Sequence, residues 1–210
     1  MSEGARRTPK QRRSTETRGA IVEAAARVFA ELGLERATIA RIAEVAGVSP
    51  GSMYQYFASK DALIVAILER ETETQQRMLI ELASRLGTED LPALVRAFVG
   101  ESLVQLESKR ALNRVLLHEV PRLSGLAISH SIDVAAARSV RLLFELGRSR
   151  LVPRDLDLAA LLVVRAFRYT TIALLEEPLP DDRRAAFVDE LSDLLLAYLL
   201  LPRTWRGGVL

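Results

Sequence analysis

Cysteine is absent from the sequence, and histidine nearly so, with only His118 and His130 in 210 residues. Without thiols there is no disulfide framework, no cysteine nucleophile and no thiolate-bound metal. A helical di-iron centre needs Glu-x-x-His pairs, but Val115 stands three residues before His118 and Ala127 three before His130. No glycine-rich phosphate loop and no Ser/His/Asp set is present either. Aromatic residues make up only 5%, so aliphatic side chains must fill the core. Long hydrophobic runs are missing as well. LLVV at 161–164 stops at Arg165 and LLLAYLLL at 194–201 stops at Pro202, far short of the roughly 20 residues that span a bilayer. The opening MSEGARRTPKQRRSTETRG carries cations with no apolar stretch behind them, unlike a secretory leader. These absences predict a cytoplasmic protein that is not an enzyme, holds no metal and no cofactor, and does not enter a membrane.

What is present is helical. Hydrophobic residues make up 49% of the chain, with few Gly and Pro, and apolar positions recur at helical spacing along most of its length. Ile21, Ala25, Val28, Phe29 and Leu32 mark a first helix from about Thr17, and Gly33 sits where a left-handed cap would end it. Thr38 precedes TIARIAEVA, closed by Gly47. Ser49 caps a third, short helix with Pro50 at its first position. Ser59 caps a fourth that starts at Lys60 and runs on to about Leu86. Five more follow: LPALVRAFVGESLVQL, ALNRVLLHEV, IDVAAARSVRLLFELGRSR, then segments 155–177 and 181–201. Breaks fall at Gly87–Pro92, near Lys109 and at Pro121–Gly125. The fold class is therefore all-α, about nine helices, with no strand alternation.

The turn Gly47-Val48-Ser49 between two helices is a helix-turn-helix pattern. On a helical wheel the third helix points Met53 and Phe57 inward. Gly51, Ser52 and Gln55 lie on the opposite arc, with Tyr54 and Tyr56 on the flanks. Small residues at the tip admit close approach to base edges, and Ser or Gln can hydrogen-bond to them. Flanking phenols suit phosphates on the two groove walls, where contacts fix register rather than read sequence. Lys60 offers a further phosphate site, and Arg41 a contact to backbone or base. Ahead of this unit Arg6, Arg7, Lys10, Arg12, Arg13 and Arg18 face only Glu3 and Glu16. Such an arm reads either as a phosphate contact or as a solubilising tail.

The contiguous stretch FAELGLERATIARIAEVAGVSPGSMYQYFASKDAL resembles the DNA-binding head of the TetR family of transcriptional regulators. The resemblance implies base-facing roles for Ser49, Gly51, Ser52 and Gln55, and phosphate contacts for Thr38, Tyr54, Tyr56 and Lys60. Many family members carry an acidic residue three positions after the capping threonine; here it is Arg41, which has no acceptor for the reciprocal bond of a capping box. The resemblance also implies a division into a basic flexible arm (1–16), a helix-turn-helix domain (17–64), a ligand-binding and dimerisation domain (65–202) and a tail (203–210).

Dimerisation has support of its own. Leu194, Leu195, Leu196, Leu199, Leu200 and Leu201 spread round most of the last helix, more than one neighbour covers. Pairing of the last two helices with those of a second copy would bury them. For the effector, the candidates are polar or aromatic residues set in apolar text: Arg114, His118, Phe144, Arg165 and Tyr169. Glu145 and Arg168 are similarly placed. They line a pocket or form internal salt bridges, and an anionic amphiphile is the effector that guanidiniums facing a cavity would suit. The functional expectation is a homodimeric repressor released from double-stranded operator DNA by a small molecule. The alternative is an activator or an effector-independent DNA-binding protein.

Overall fold

The computed structural model describes residues 9–86, 88–120, 126–153 and 155–200, leaving aside the side chains of 9–11 and 126–132. The described residues form nine α-helices and no strand: α1 (Pro9–Arg36), α2 (Ile39–Ala46), α3 (Pro50–Tyr56), α4 (Lys60–Arg85), α5 (Leu91–Ser108), α6 (Arg110–His118), α7 (Leu126–Leu146), α8 (Leu156–Ala173) and α9 (Asp181–Leu200), with a 3-10 turn at Arg148–Arg150. Their contacts divide them into two units. The first gathers the described residues of Met1–Glu71 and Ala111–Leu123; the second gathers those of Thr72–Arg110 and Ser124–Leu210.

In the first unit, Ile21, Ala25, Val28 and Phe29 of α1 are buried, as are Ile42 and Ala43 of α2, Met53 of α3, and Leu63 and Ile67 of α4. Helix α6 joins the same unit, and Leu112 and Val120 from that part of the chain are buried too. Sequence periodicity does not anticipate this, because α6 is separated from α3 by two long helices.

Helix α1 begins at Pro9 rather than near Thr17. Residues 9–16, expected to be a flexible arm, continue the helix, and an Arg12–Glu16 pair at 2.9 Å supports one turn of it. The rest of the expected arm, the Pro121–Gly125 break and the tail lie outside the described residues. The other end of α1 breaks at Gly33, whose φ of 75° and ψ of 168° lie in an extended region open only to glycine, not in the left-handed helical well expected of a cap.

Two buried clusters are seen among the described residues of the second unit. In one, Ala159 and Ala160 of α8 are fully buried beside Ala137 and Phe144 of α7 and Leu199 of α9. The two alanines allow α7 and α8 to approach closely. In the other, Val99 of α5 meets Leu191 and Leu195 of α9, and Phe98 stacks obliquely on Phe167 with centroids 5.5 Å apart. Asp90 caps α5 by accepting the Ala93 N–H at 2.7 Å, and Asp155 caps α8 by accepting the Leu158 N–H at 2.9 Å.

Among the described residues of this unit, one charged group is nearly inaccessible. Asp133 on α7 is 2% exposed and accepts a hydrogen bond from Arg168, with Arg165 Nε 3.5 Å from its other oxygen. A carboxylate buried this far is tolerable only with such cations beside it. Replacing Asp133 with Ala removes the carboxylate that both guanidiniums share. The expected loss is toward the lower end of about 3–5 kcal/mol, because both arginines keep some contact with water. Urea unfolding of wild type and variant at equal protein concentration measures it.

Candidate nucleic-acid interface

The helix-turn-helix is assembled from local signals. Thr38 has an extended backbone and its Oγ1 accepts the Arg41 N–H at 3.1 Å, so α2 starts where the threonine predicts. The reciprocal half of a capping box is missing, since residue 41 is arginine. Its guanidinium instead donates to Glu44 at 2.8 Å. That hydrogen bond, and then the charge of Glu44, raise the Arg41 pKa above its ordinary value. Gly47 ends α2 in the left-handed region (φ 69°, ψ 29°), and the Val48 N–H returns to the Ala43 carbonyl at 3.0 Å.

Helix α3 is capped by Ser49, whose Oγ accepts the Ser52 N–H at 3.1 Å while its own hydroxyl donates to Ser52 Oγ at 2.9 Å. Pro50 fills the first turn, where its missing N–H has no partner to lose. Met53 is 0% exposed and Phe57 4%, which orients the helix. The guanidinium of Arg18 lies over the Phe57 ring at 5.2 Å and 3.9 Å from a Glu69 oxygen. With the anchor side turned inward, Ser49, Gly51, Tyr54 and Gln55 are exposed, while Ser52 and Tyr56 are half-buried. Tyr54 is 60% exposed. Thr38 and Arg41 are exposed as well, so one unit carries the whole expected set.

Lys60 has a structural part that its position at a helix start does not suggest. Its ammonium donates to the Leu34 carbonyl at 2.7 Å and to the Ala37 carbonyl at 3.2 Å, so two of its three N–H bonds close the corner between α1 and α2. Glu119, which the sequence pattern does not single out, joins the same corner, and its Oε2 accepts the Leu34 N–H at 2.7 Å. No local signal marks either bond, because the partners lie 26 and 85 residues apart.

The five effector candidates are divided between the two units. Arg114 and His118 are exposed on α6 in the first unit. Phe144 packs in the core of the second. There Arg165 is held by Asp133, and Tyr169 is exposed with the Arg168 guanidinium 5.4 Å from its ring centre. Arg165 and Arg168 thus form an internal salt bridge, one of the two arrangements expected. The second unit also has an open groove of about 870 Å³, lined by Met78 of α4, Leu103 and Val104 of α5, and Ala185 and Val188 of α9. Arg96 at its edge donates to Asp189 and Asp193 at 3.1 and 2.8 Å. Among the described residues no group of three or more His, Asp or Glu stands ready for a metal ion, and no helix is long and apolar enough to cross a membrane.

Residues 21–67 match the model for bacterial regulatory proteins of the tetR family, and residues 90–199 match that for the tetracyclin repressor-like C-terminal domain. The chain belongs to the TetR family. Among TetR-type relatives, the HTH-type transcriptional regulator TtgR of Pseudomonas putida is 34% identical over 116 residues, 54% of each chain. The A-factor receptor protein of Streptomyces griseus is 46% identical over 65 residues, 31% of this chain and 24% of that one. The chain thus spans about half the length of TtgR. In three dimensions, a TetR-family transcriptional regulator from Mesorhizobium loti superposes with a TM-score of 0.75 over 90% of this chain and 99% of the other, at 16% identity. At that identity the likeness shows the TetR fold.

Adjacent residues of α3 face opposite environments, and substitution separates them. Met53→Ala opens a cavity under the helix and costs about 2–5 kcal/mol. Tyr54→Phe leaves stability within about 0.5 kcal/mol of wild type, because its hydroxyl faces water. Thermal or urea unfolding, followed by far-UV circular dichroism, reads both.

Proposed function

We propose that this TetR-family chain is a homodimeric, sequence-specific DNA-binding repressor, released from its operator by a small molecule. The observation that carries the DNA reading is the exposed face of α3: Gly51, Tyr54 and Gln55 stand in water on a helix anchored by buried Met53 and Phe57. A seven-residue helix held in this way is a presentation device. In the major groove Gly51 lets the backbone come near the base edges, and Gln55, with Ser49 and Ser52, offers hydrogen bonds to them. Tyr54, Tyr56, Thr38 and Arg41 take the phosphates on either side. Lys60 supports the corner from which these residues project. The basic residues from Arg6 to Arg13 add counterion-releasing contacts.

Dimerisation supplies the second half-site. Leu158, Leu162 and Tyr169 of α8 and Leu194 and Tyr198 of α9 are large hydrophobic or aromatic residues left exposed, at spacings that keep each set on one side of its helix. A two-fold pairing of these helices buries both stripes, and two heads then meet half-sites about 34–36 Å apart. The effector is a molecule with an apolar body. It acts only through unequal affinity for the DNA-competent and DNA-incompetent forms of the dimer. Helix α4, unbroken from Lys60 to Arg85, contributes residues to both units and is the proposed lever. The site of action is the cytoplasm, beside the chromosome.

A duplex enriched from a random pool by the wild-type protein tests the DNA reading over a salt series. Affinity should fall steeply with salt. Tyr54→Phe should weaken binding about ten-fold by losing a hydrogen bond to a charged phosphate. Replacing Arg6, Arg7, Lys10, Arg12 and Arg13 by Gln should flatten the salt slope by about one for each phosphate no longer neutralised. Unchanged binding by Tyr54→Phe would remove that hydroxyl from the interface. For the dimer, Leu162→Glu with Leu194→Glu should yield a folded monomer in sedimentation equilibrium; a variant that stays dimeric would place the interface elsewhere.

A further inference from the structure

We propose that Glu119 is a positioning residue for DNA binding: its carboxylate clamps the α1–α2 corner and so sets the angle at which α2 and α3 meet the operator. The inference rests on the DNA-binding reading. At the corner, Gly33 interrupts α1 in a conformation that removes its neighbour from the regular helical ladder. The Leu34 N–H donates to Glu119 Oε2 at 2.7 Å instead. A Cβ added at Gly33 would stand 3.0 Å from Glu119 Oε1, so the carboxylate lies flat against backbone that has no side chain. Across the same short loop, the carbonyls of Leu34 and Ala37 receive the Lys60 ammonium.

An anion thus holds the donor side of the corner and a cation its acceptor side. Both are charge-assisted bonds, stronger and more directional than neutral ones. Thr38, the cap of α2, follows directly after Ala37, so whatever fixes this loop fixes the start of α2. The clamp also crosses the boundary between the two family segments: Glu119 lies within residues 90–199, the stretch matching the C-terminal domain, while Gly33 and Lys60 lie within 21–67. The head of this protein is therefore completed by a residue from outside the helix-turn-helix domain.

Two substitutions separate the role of the oxygen from that of the charge. Glu119→Gln and Glu119→Ala each raise the net charge by one, but only Gln keeps an oxygen for the Leu34 N–H. For the wild-type-enriched duplex, Glu119→Ala should bind ten-fold or more weakly and Glu119→Gln within about three-fold of wild type. Binding to an unrelated duplex at the same salt, which depends on phosphate charge rather than on helix angle, should be equal in the two variants. Amide hydrogen exchange on the free protein gives a readout without DNA: Leu34 should lose protection in the Ala variant and keep it in Gln. Equal protection of Leu34 in all three proteins would overturn the clamp whatever the DNA results. Lost protection with unchanged operator affinity, or equal loss on both duplexes, would overturn the positioning role. A wild-type protein that enriches no duplex would overturn the DNA reading and the positioning role with it, while the exchange data would still report on the clamp.

Discussion

A helix of seven residues does not hold its shape in water; the cost of its first turn exceeds what so few hydrogen bonds return. The display of α3 therefore depends on the burial of Met53 and Phe57 against a core supplied by α1, α2 and α4. Caps set where the helix begins, but the two buried side chains decide which way it faces. Ser49, Gly51, Tyr54 and Gln55 are exposed because their neighbours are not. The composition suits this arrangement. In a chain with few aromatics, a methionine and a phenylalanine at four-residue spacing stand out as anchors.

Features encoded within four residues are legible from sequence, and features that depend on chain return are not. Thr38, Gly47, Ser49 and Pro50 act where local chemistry puts them, since capping bonds and left-handed backbone involve only near neighbours. The inward direction of Met53 and Phe57 follows from helical periodicity. The start of α1 escapes the same periodicity because its first turns are polar and present no apolar stripe. The position of Lys60 at a helix start suggests phosphate, whereas its partners lie more than twenty residues upstream. Glu119 does not stand out beside His118, for nothing in NRVLLHEV shows that the chain comes back to Gly33. The grouping of α6 with the head is long-range for the same reason.

In the second unit, charge and apolar surface are arranged on different principles. Asp133 is one of the few polar residues taken deep into the core, and α8 supplies both of its cations from successive turns. The arginines in the text VVRAFRYTT pair with a carboxylate some thirty residues earlier. Among the described residues, large apolar side chains on the outer sides of α8 and α9, such as Leu158, Leu162 and Leu194, stay exposed. A core-forming side chain and an interface-forming one are the same chemical type, and sequence periodicity alone does not distinguish them.

The division of α3 into an anchored side and an exposed side bears on how a head of this kind diverges. Met53 and Phe57 are committed to the core. Tyr54 and Gln55 are exposed. Exchange at these two positions, and at open Gly51, where an added Cβ meets nothing within 4 Å, draws little on the stability of the fold. On the proposed DNA reading, a duplicated copy takes up a new operator by drift at a few surface positions while its core stays unchanged. Selection for a new address and selection for a folded protein then act on different residues of the same short helix.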